Sequence, residues 1–344
     1  MKLEQSRYGA IDGQEISKYL ICNDNGIEIS IINYGATLIS VKTPDRLGKS
    51  GEIILGYDDL AGFQQGKSYF GCIVGRFANR IGKGQFMLEG TKINVTCNEG
   101  NNHLHGGAKG FDKVIWNAAA SQSESEASVE LNYTSQDSEE GYPGTLTAKV
   151  IYTLNNANEL IMSYSAQTDK VTIVNLSNHA YWNLAGAGSR NIHKHEMTIL
   201  ADQYLEVDNE SIPTGNILPV ADTEYDFRQV KPIGRDIEKN GLGYDHCFVL
   251  NKKPGELALA VEVEEPDSGR KMQVFTTQPG VQFYSGNYLN NDIGRNGEIY
   301  VKNGAFCLET ESYPDAPNHD NFPAAVIKPG EVYKETAKHV FSVI

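Results

Sequence analysis

Alternation, not helical spacing, is what this chain repeats. Apolar and polar residues alternate over 27–32 and, after a Tyr-Gly break, over 36–42; the same pattern returns at 128–134, 145–154 and 159–166. Residues two apart share one face of a strand, so each run prescribes one face for a core and one turned away from it. No segment keeps an apolar i, i+3, i+4, i+7 stripe for ten residues, and 58–65 and 236–240 are expected to be single turns. Residues 52–56, 71–75 and 85–88 are short strand candidates. Asn-Asn-Ala-Asn at 155–158 predicts a hairpin turn, and Asp-Ser-Gly-Arg at 267–270 a second one between 257–264 and 271–277. The closing stretch 331–344 alternates as well, and the polar run 121–127 predicts a long hairpin loop in preference to a linker. Large all-β folds run long as single units, so the 344 residues are expected to form one antiparallel β-sandwich domain over 1–344.

Charge and cysteine narrow the partners. A net charge of -14 argues against nucleic acid or an anionic membrane surface. No apolar run reaches the roughly 18–20 residues of a membrane span, and the first residues show no apolar signal-peptide core. The five cysteines are Cys22, Cys72, Cys97, Cys247 and Cys307, with no Cys-x-x-Cys pair. Cys72, Cys247 and Cys307 lie in apolar segments and read as buried free thiols of a reducing, cytoplasmic compartment. A zinc or disulfide framework has little support.

Glu309 stands out within Gly-Ala-Phe-Cys-Leu-Glu-Thr-Glu-Ser-Tyr (304–313). In a strand, Ala305, Cys307 and Glu309 share a face, and Phe306, Leu308 and Thr310 the other. A carboxylate on a face of small apolar groups is costly unless paired, which suits a tuned base; a strand end reaching solvent is the plain alternative. Other polar clusters adjoin Gly-rich turns or strand ends. Asn79 and Arg80 follow Gly75-Arg-Phe-Ala and offer hydroxyl recognition, or a structural salt bridge. His103 and His105 would share a face if extended, with Gly106 and Gly107 letting the backbone approach a ligand; such a pair is also half of a metal site. His179 sits among Asn178, Tyr181, Trp182 and Asn183, where an aromatic face suits a sugar ring, although Trp182 alone reads as core. Asp245 precedes an apolar strand, and Gln282 shares the strand face of Tyr284. No Ser-His-Asp elbow, phosphate-cradling Gly loop or dinucleotide fingerprint is present. Histidine and carboxylate without a nucleophile point to proton transfer on a neutral polar ligand.

The segments GRFANRIGKGQF, NHLHGG, GFDKVIW, SNHAYWNL, YDHCFVL, TTQPGVQFYSGN and FCLETESYPDAPN, in that order along the chain, resemble the aldose 1-epimerases or galactose mutarotases. The resemblance implies a large β-sandwich and a cofactor-free enzyme that interconverts α and β anomers of hexoses such as galactose and glucose. Carried onto the matching positions, Glu309 corresponds to the general base and His179 to the general acid. His105 looks like a partner in proton transfer or sugar binding, and Asn79, Arg80, Asp245 and Gln282 resemble ligands of the sugar hydroxyls. The chemistry needs protonated His179 beside ionised Glu309, so neighbouring carboxylates, Asp245 among them, are expected to favour the charged imidazole. Rival readings are a metal-dependent sugar isomerase using His103, His105, His179 and Glu309, a non-catalytic sugar-binding relative, and a sugar-phosphate epimerase. The last would need more cations than Arg76 and Arg80 supply.

Overall fold

The computed structural model describes every residue except Arg190 and Asn240. Its strands are antiparallel and assemble into three main sheets. A nine-stranded sheet runs, in spatial order, through Asn117–Gln122, Glu126–Ser135, Leu146–Asn155, Glu159–Thr168, Tyr333–Val343, Arg270–Thr276, Ala258–Glu264, Glu196–Ile199 and Lys231–Pro232. A five-stranded sheet holds the N-terminal strands from Lys2–Ile11 to Ser50–Glu52. The second five-stranded sheet runs Pro213–Pro219, Ala201–Val207, Asp245–Leu250, Gly280–Tyr284 and Cys307–Glu311.

The alternation sets the core. Leu146–Asn155 buries every second residue, and Ala148, Val150, Tyr152 and Leu154 enter one cluster with Ile29 and Ile31 of the N-terminal sheet and Val281, Phe283 and Leu308 of the other. One apolar cluster therefore spans all three sheets. The expected hairpins form: Leu146–Asn155 pairs with Glu159–Thr168, turning at Asn158 (φ 64), and Ala258–Glu264 pairs with Arg270–Thr276.

Two strands go beyond the sequence expectations, and two expectations change. The first two strands, Lys2–Ile11 and Gln14–Cys22, carry no sequence forecast because the first is largely exposed and shows little alternation. Their turn is Asp12-Gly13, both at positive φ, the turn chemistry that marks hairpins. The polar run 121–127 is mostly strand, with only residues 123–125 left as the loop between Asn117–Gln122 and Glu126–Ser135. The single turn expected at 58–65 is the helix Leu60–Gln65, capped by the Asp59 side chain on Gly62 N. The turn at 236–240 closes through Lys239 N donating to Asp236 O at 3.0 Å; its last residue, Asn240, lies outside the described residues.

Candidate active site

Parity along Cys307–Glu311 sorts its side chains. Phe306 and Leu308 enter the main core, while Ala305 and Cys307 pack with Tyr181 and Tyr284 on the other face. Glu309 continues that second face and is only 2% exposed, so the strand has not reached solvent. Across the sheet, Glu309 stands opposite Gln282, Gln282 opposite Cys247, and Asp245 opposite Tyr284. Three strands distant in sequence thus present Asp245, Gln282 and Glu309 on one face.

That face forms one wall of a cavity of about 350 Å³, and loops supply the rest. Asn79, Arg80, His105, His179, Tyr181, Asp245 and Glu309 all line it, together with Tyr69, Glu99, Tyr284 and Tyr288. His179 is held by its backbone N–H on Cys72 O (2.9 Å), and its ring lies between Tyr69 (centroids 5.7 Å, 25°) and Tyr181 (5.1 Å, 23°). Its Nε2 is 3.5 Å from Glu309 Oε1. Tyr69, Glu99 and Tyr288 carry no motif that marks them in the sequence.

Asn79 and His105 interlock. Asn79 takes φ 66, a left-handed backbone that Asn tolerates well. Its N–H donates to His105 Nδ1 (3.1 Å), and its carbonyl accepts from His105 N (3.1 Å). Nδ1 is thereby the acceptor, and the ring proton sits on Nε2. His105, His179 and Glu309 each bring one ligand atom within 4.8 Å of the others, a spacing a metal could bridge. An imidazole whose Nε2 carries the proton offers a hydrogen bond to a sugar oxygen, not a lone pair to a metal. The metal reading loses its fourth ligand as well. His103 does not share the face of His105, because His105 turns to φ 51 and breaks the extended run. The His103 ring instead contacts Thr96 O (2.7 Å) and the Tyr142 hydroxyl (2.5 Å), away from the cavity. Gly106 serves the fold: a Cβ there would sit 1.7 Å from Gly75 O.

Arg80 is clamped by Glu99 (Nε–Oε2 2.6 Å, Nη2–Oε1 2.9 Å), with Asp245 Oδ2 3.8 Å from Nη1. Burial opposes its charge, yet Asp245 and Glu99 raise its pKa further. Arg76, considered above as a groove cation, is buried at 1% exposure and bonded to Pro143 O, Gly144 O and Ser135 Oγ, so it pins loops. Gln282 donates to Asp245 Oδ1 at 2.7 Å and braces that carboxylate; it is not itself a lining residue of the cavity. Glu311, which the sequence reading passed over, is fully buried on the face of Glu309 and accepts from Asn79 Nδ2 at 2.9 Å. Its parity with Glu309 was the available signal.

The proton distribution differs from expectation. Burial pushes His179 down to about 4, outweighing Asp245, which acts in the expected upward direction. Burial, Glu311 and Asp245 push Glu309 well above the usual carboxylate range, against Arg80. Both shifts act towards neutral imidazole beside a protonated carboxyl. That arrangement holds the same number of protons as imidazolium beside carboxylate, and the two differ by one transfer across the 3.5 Å contact.

The comparisons agree with this architecture. The sequence model of the aldose 1-epimerase family matches residues 17–339. Galactose mutarotase of Bos taurus is 44% identical over 330 residues, covering 95% of this chain and 94% of that protein. Aldose 1-epimerase of Escherichia coli (strain K12) is 35% identical over 339 residues, 96% and 97% of the two chains. Among solved structures, a GalM/aldose epimerase homologue from C. elegans superposes with a TM-score of 0.88 at 31% identity, covering 94% of this chain and 98% of that one. Galactose 1-epimerase from Lactobacillus acidophilus NCFM gives 0.87 at 28% identity, covering 99% of each. With the family's sequence model matched over residues 17–339 on a galactose mutarotase-like sandwich, the chain belongs to the aldose 1-epimerase family of carbohydrate epimerases.

Proposed function

We propose that this aldose 1-epimerase interconverts the α and β anomers of hexoses such as galactose and glucose with Glu309 as base and His179 as acid. The observation that carries the assignment is the 3.5 Å separation of His179 Nε2 and Glu309 Oε1 inside one buried cavity. The two atoms that exchange protons, O1 and the ring oxygen, share a single carbon. Acid and base must therefore stand within a few ångströms of each other. Glu309 takes the O1 proton, His179 protonates the ring oxygen, and the C1–O5 bond breaks to give the open aldehyde. Half a turn about C1–C2 presents the other carbonyl face, and closure runs with the roles exchanged. Sugar entry draws the shared proton from Glu309 to His179, because the O1 hydroxyl donates to the carboxylate and stabilises its charge.

In this reading His105 Nε2–H donates to a sugar oxygen, Tyr181 packs against the ring, and Arg80 and Asp245, braced by Gln282, bind hydroxyls; Asn79 keeps one Nδ2 hydrogen for the same purpose. No cofactor enters these steps. We also infer that the chain works as one domain, since a single apolar cluster joins its three sheets. Its five free cysteines, three of them buried, fit a reducing cytoplasm; recovery of the native protein from an extracellular fraction would overturn that placement. No helix among the described residues is long and apolar enough to cross a membrane.

Polarimetry on freshly dissolved α-D-galactose and α-D-glucose tests the reading, with wild type, Glu309→Gln and EDTA-treated wild type in parallel. Wild type and EDTA-treated protein should speed the approach to equilibrium, and Glu309→Gln should lose about 10³ in kcat. Loss of activity on chelation would restore the metal reading. Absence of turnover on either sugar would leave a binding protein.

A further inference from the structure

Glu309 is not alone on its face. Glu311 lies two residues on, with side chain 0% exposed, and no exposed strand end dilutes its charge. Its Oε1 accepts from Asn79 Nδ2 at 2.9 Å, and its Oε2 has no partner. Asn79 is the node of the loop wall: its Oδ1 takes Arg80 N (2.8 Å), and its backbone holds His105 at both ends. The Glu311 anchor thus fixes the residue that orients His105 and begins the Arg80 segment.

Charge adds a second argument. The groups facing Glu311 are Glu309 on its own strand, Asp245 and the Cys247 thiol on the next strand but one, beyond Gly280–Tyr284, and Asn79 and Arg80 on the loop. Among them Arg80 is the one permanent cation, and Glu99 already holds it through two bonds. Lys67 also lines the cavity but is exposed. If Glu309 is to carry a charge opposite the His179 imidazolium, an ionised Glu311 beside it would be a second buried carboxylate with no counter-ion of its own. A neutral hydroxyl without a partner costs far less than a second buried charge.

We propose that Glu311 is a positioning residue for anomerisation: one carboxyl oxygen anchors Asn79, while the proton on the other keeps the strand's charge on Glu309. The inference rests on the acid–base reading above. With Glu311 protonated, His179, Glu309 and Glu311 share two protons, and one can move from Glu309 to His179. When Glu311 loses its proton, two adjacent carboxylates compete, the remaining proton returns to Glu309, and the base is blocked. Burial, with Asp245 adding and the Asn79 bond opposing, raises the Glu311 carboxyl to about 8, which sets where this happens.

Two variants and two readouts test it. Glu311→Gln keeps an acceptor for Asn79 and removes the titrating proton; Glu311→Leu removes both. Wild-type kcat/KM should break near pH 8 and be about tenfold lower at pH 9 than at pH 7, the loss expected one unit above a single titration. In Glu311→Gln that ratio should approach one, and Glu311→Leu should show a raised KM that Glu311→Gln restores. Infrared difference spectra of wild type against Glu311→Gln should show a protonated carboxyl at pH 7 that disappears by about pH 9.5. An unchanged alkaline break in Glu311→Gln, or no carboxyl band assignable to Glu311, overturns the proposal. The infrared band reads the proton whether or not sugar turns over. Failure of the acid–base reading alone would abolish turnover and leave the band, so the two failures are distinguishable.

Discussion

The two faces of Cys307–Glu311 are buried alike and do opposite work. On one, Leu308 packs with Phe283 and Val281 in the core that joins the sheets. On the other, Glu309 and Glu311 each leave one carboxyl oxygen without a partner. Burial by itself therefore does not distinguish structure from chemistry. What distinguishes them is whether the buried atoms are satisfied by burial, as a Leu is, or are held there against it.

Crossing the faces should separate the two kinds of loss. Glu309→Gln should abolish most turnover while leaving the melting temperature near or slightly above that of wild type, because it deletes a buried ionisable group and conserves shape. Leu308→Ala, on the other face, should lose about 2–5 kcal/mol of stability through the cavity it opens, with a far smaller loss of kcat per folded molecule. Calorimetry and polarimetry on both variants check the pair. A Glu309→Gln protein that melts well below wild type would mean that the carboxylate is also a structural element.

The same contrast accounts for what was legible beforehand. Glu309, His179 and the sandwich could be read from the chain because parity and motif are local properties. The meeting of Asp245, Gln282 and Glu309 is a matter of register between three strands up to 64 residues apart, from Asp245 to Glu309, and no local pattern encodes it. His103 and His105 share a face only in an extended run, and one positive φ at His105 separates them. Arg76 adjoins the same turn as Arg80 yet points into loops, since a turn reverses facing without leaving a periodic trace. Glu311 shares the parity of Glu309, but a second carboxylate in a strand reads equally well as the approach of solvent. The expectation of a charged His179 failed on magnitude: Asp245 acts as anticipated, and burial is larger.

His339 gives the contrast at the sandwich core, outside the lining of the candidate cavity. It is 2% exposed, stacks on Trp182 (centroids 5.1 Å, 24°), has no partner for either ring nitrogen, and is pushed down to about 3 by burial. A base whose folded pKa is depressed contributes stability that is present above its unfolded value of about 6.5 and is lost as pH falls towards the folded value. By pH 5 the loss from this one ring is about 2 kcal/mol. His339→Phe keeps the ring and removes the titration, so its melting temperature should fall less between pH 7 and pH 5, by roughly 3 °C for a chain of this size. Parallel wild-type and variant curves over that interval would show that the ring is protonated, and solvated, in the folded state.

Gln282 offers the smallest and sharpest version of the comparison, because it stands opposite Glu309 on the cavity face and yet makes its contact with Asp245 at 2.7 Å. Resemblance marks it as a sugar ligand, whereas its geometry makes it a brace. Gln282→Leu should raise KM about tenfold with little change in kcat, since a hydrogen bond to a charged carboxylate is worth about 1.5 kcal/mol or more. A double-mutant cycle with Asp245→Asn decides between the roles. If Gln282 acts through Asp245, the second substitution adds little once the first is made, and the coupling should be about 0.5–1.5 kcal/mol. If Gln282 holds its own sugar hydroxyl, the two losses add, and its unpartnered Oε1 is the atom that turns to the substrate.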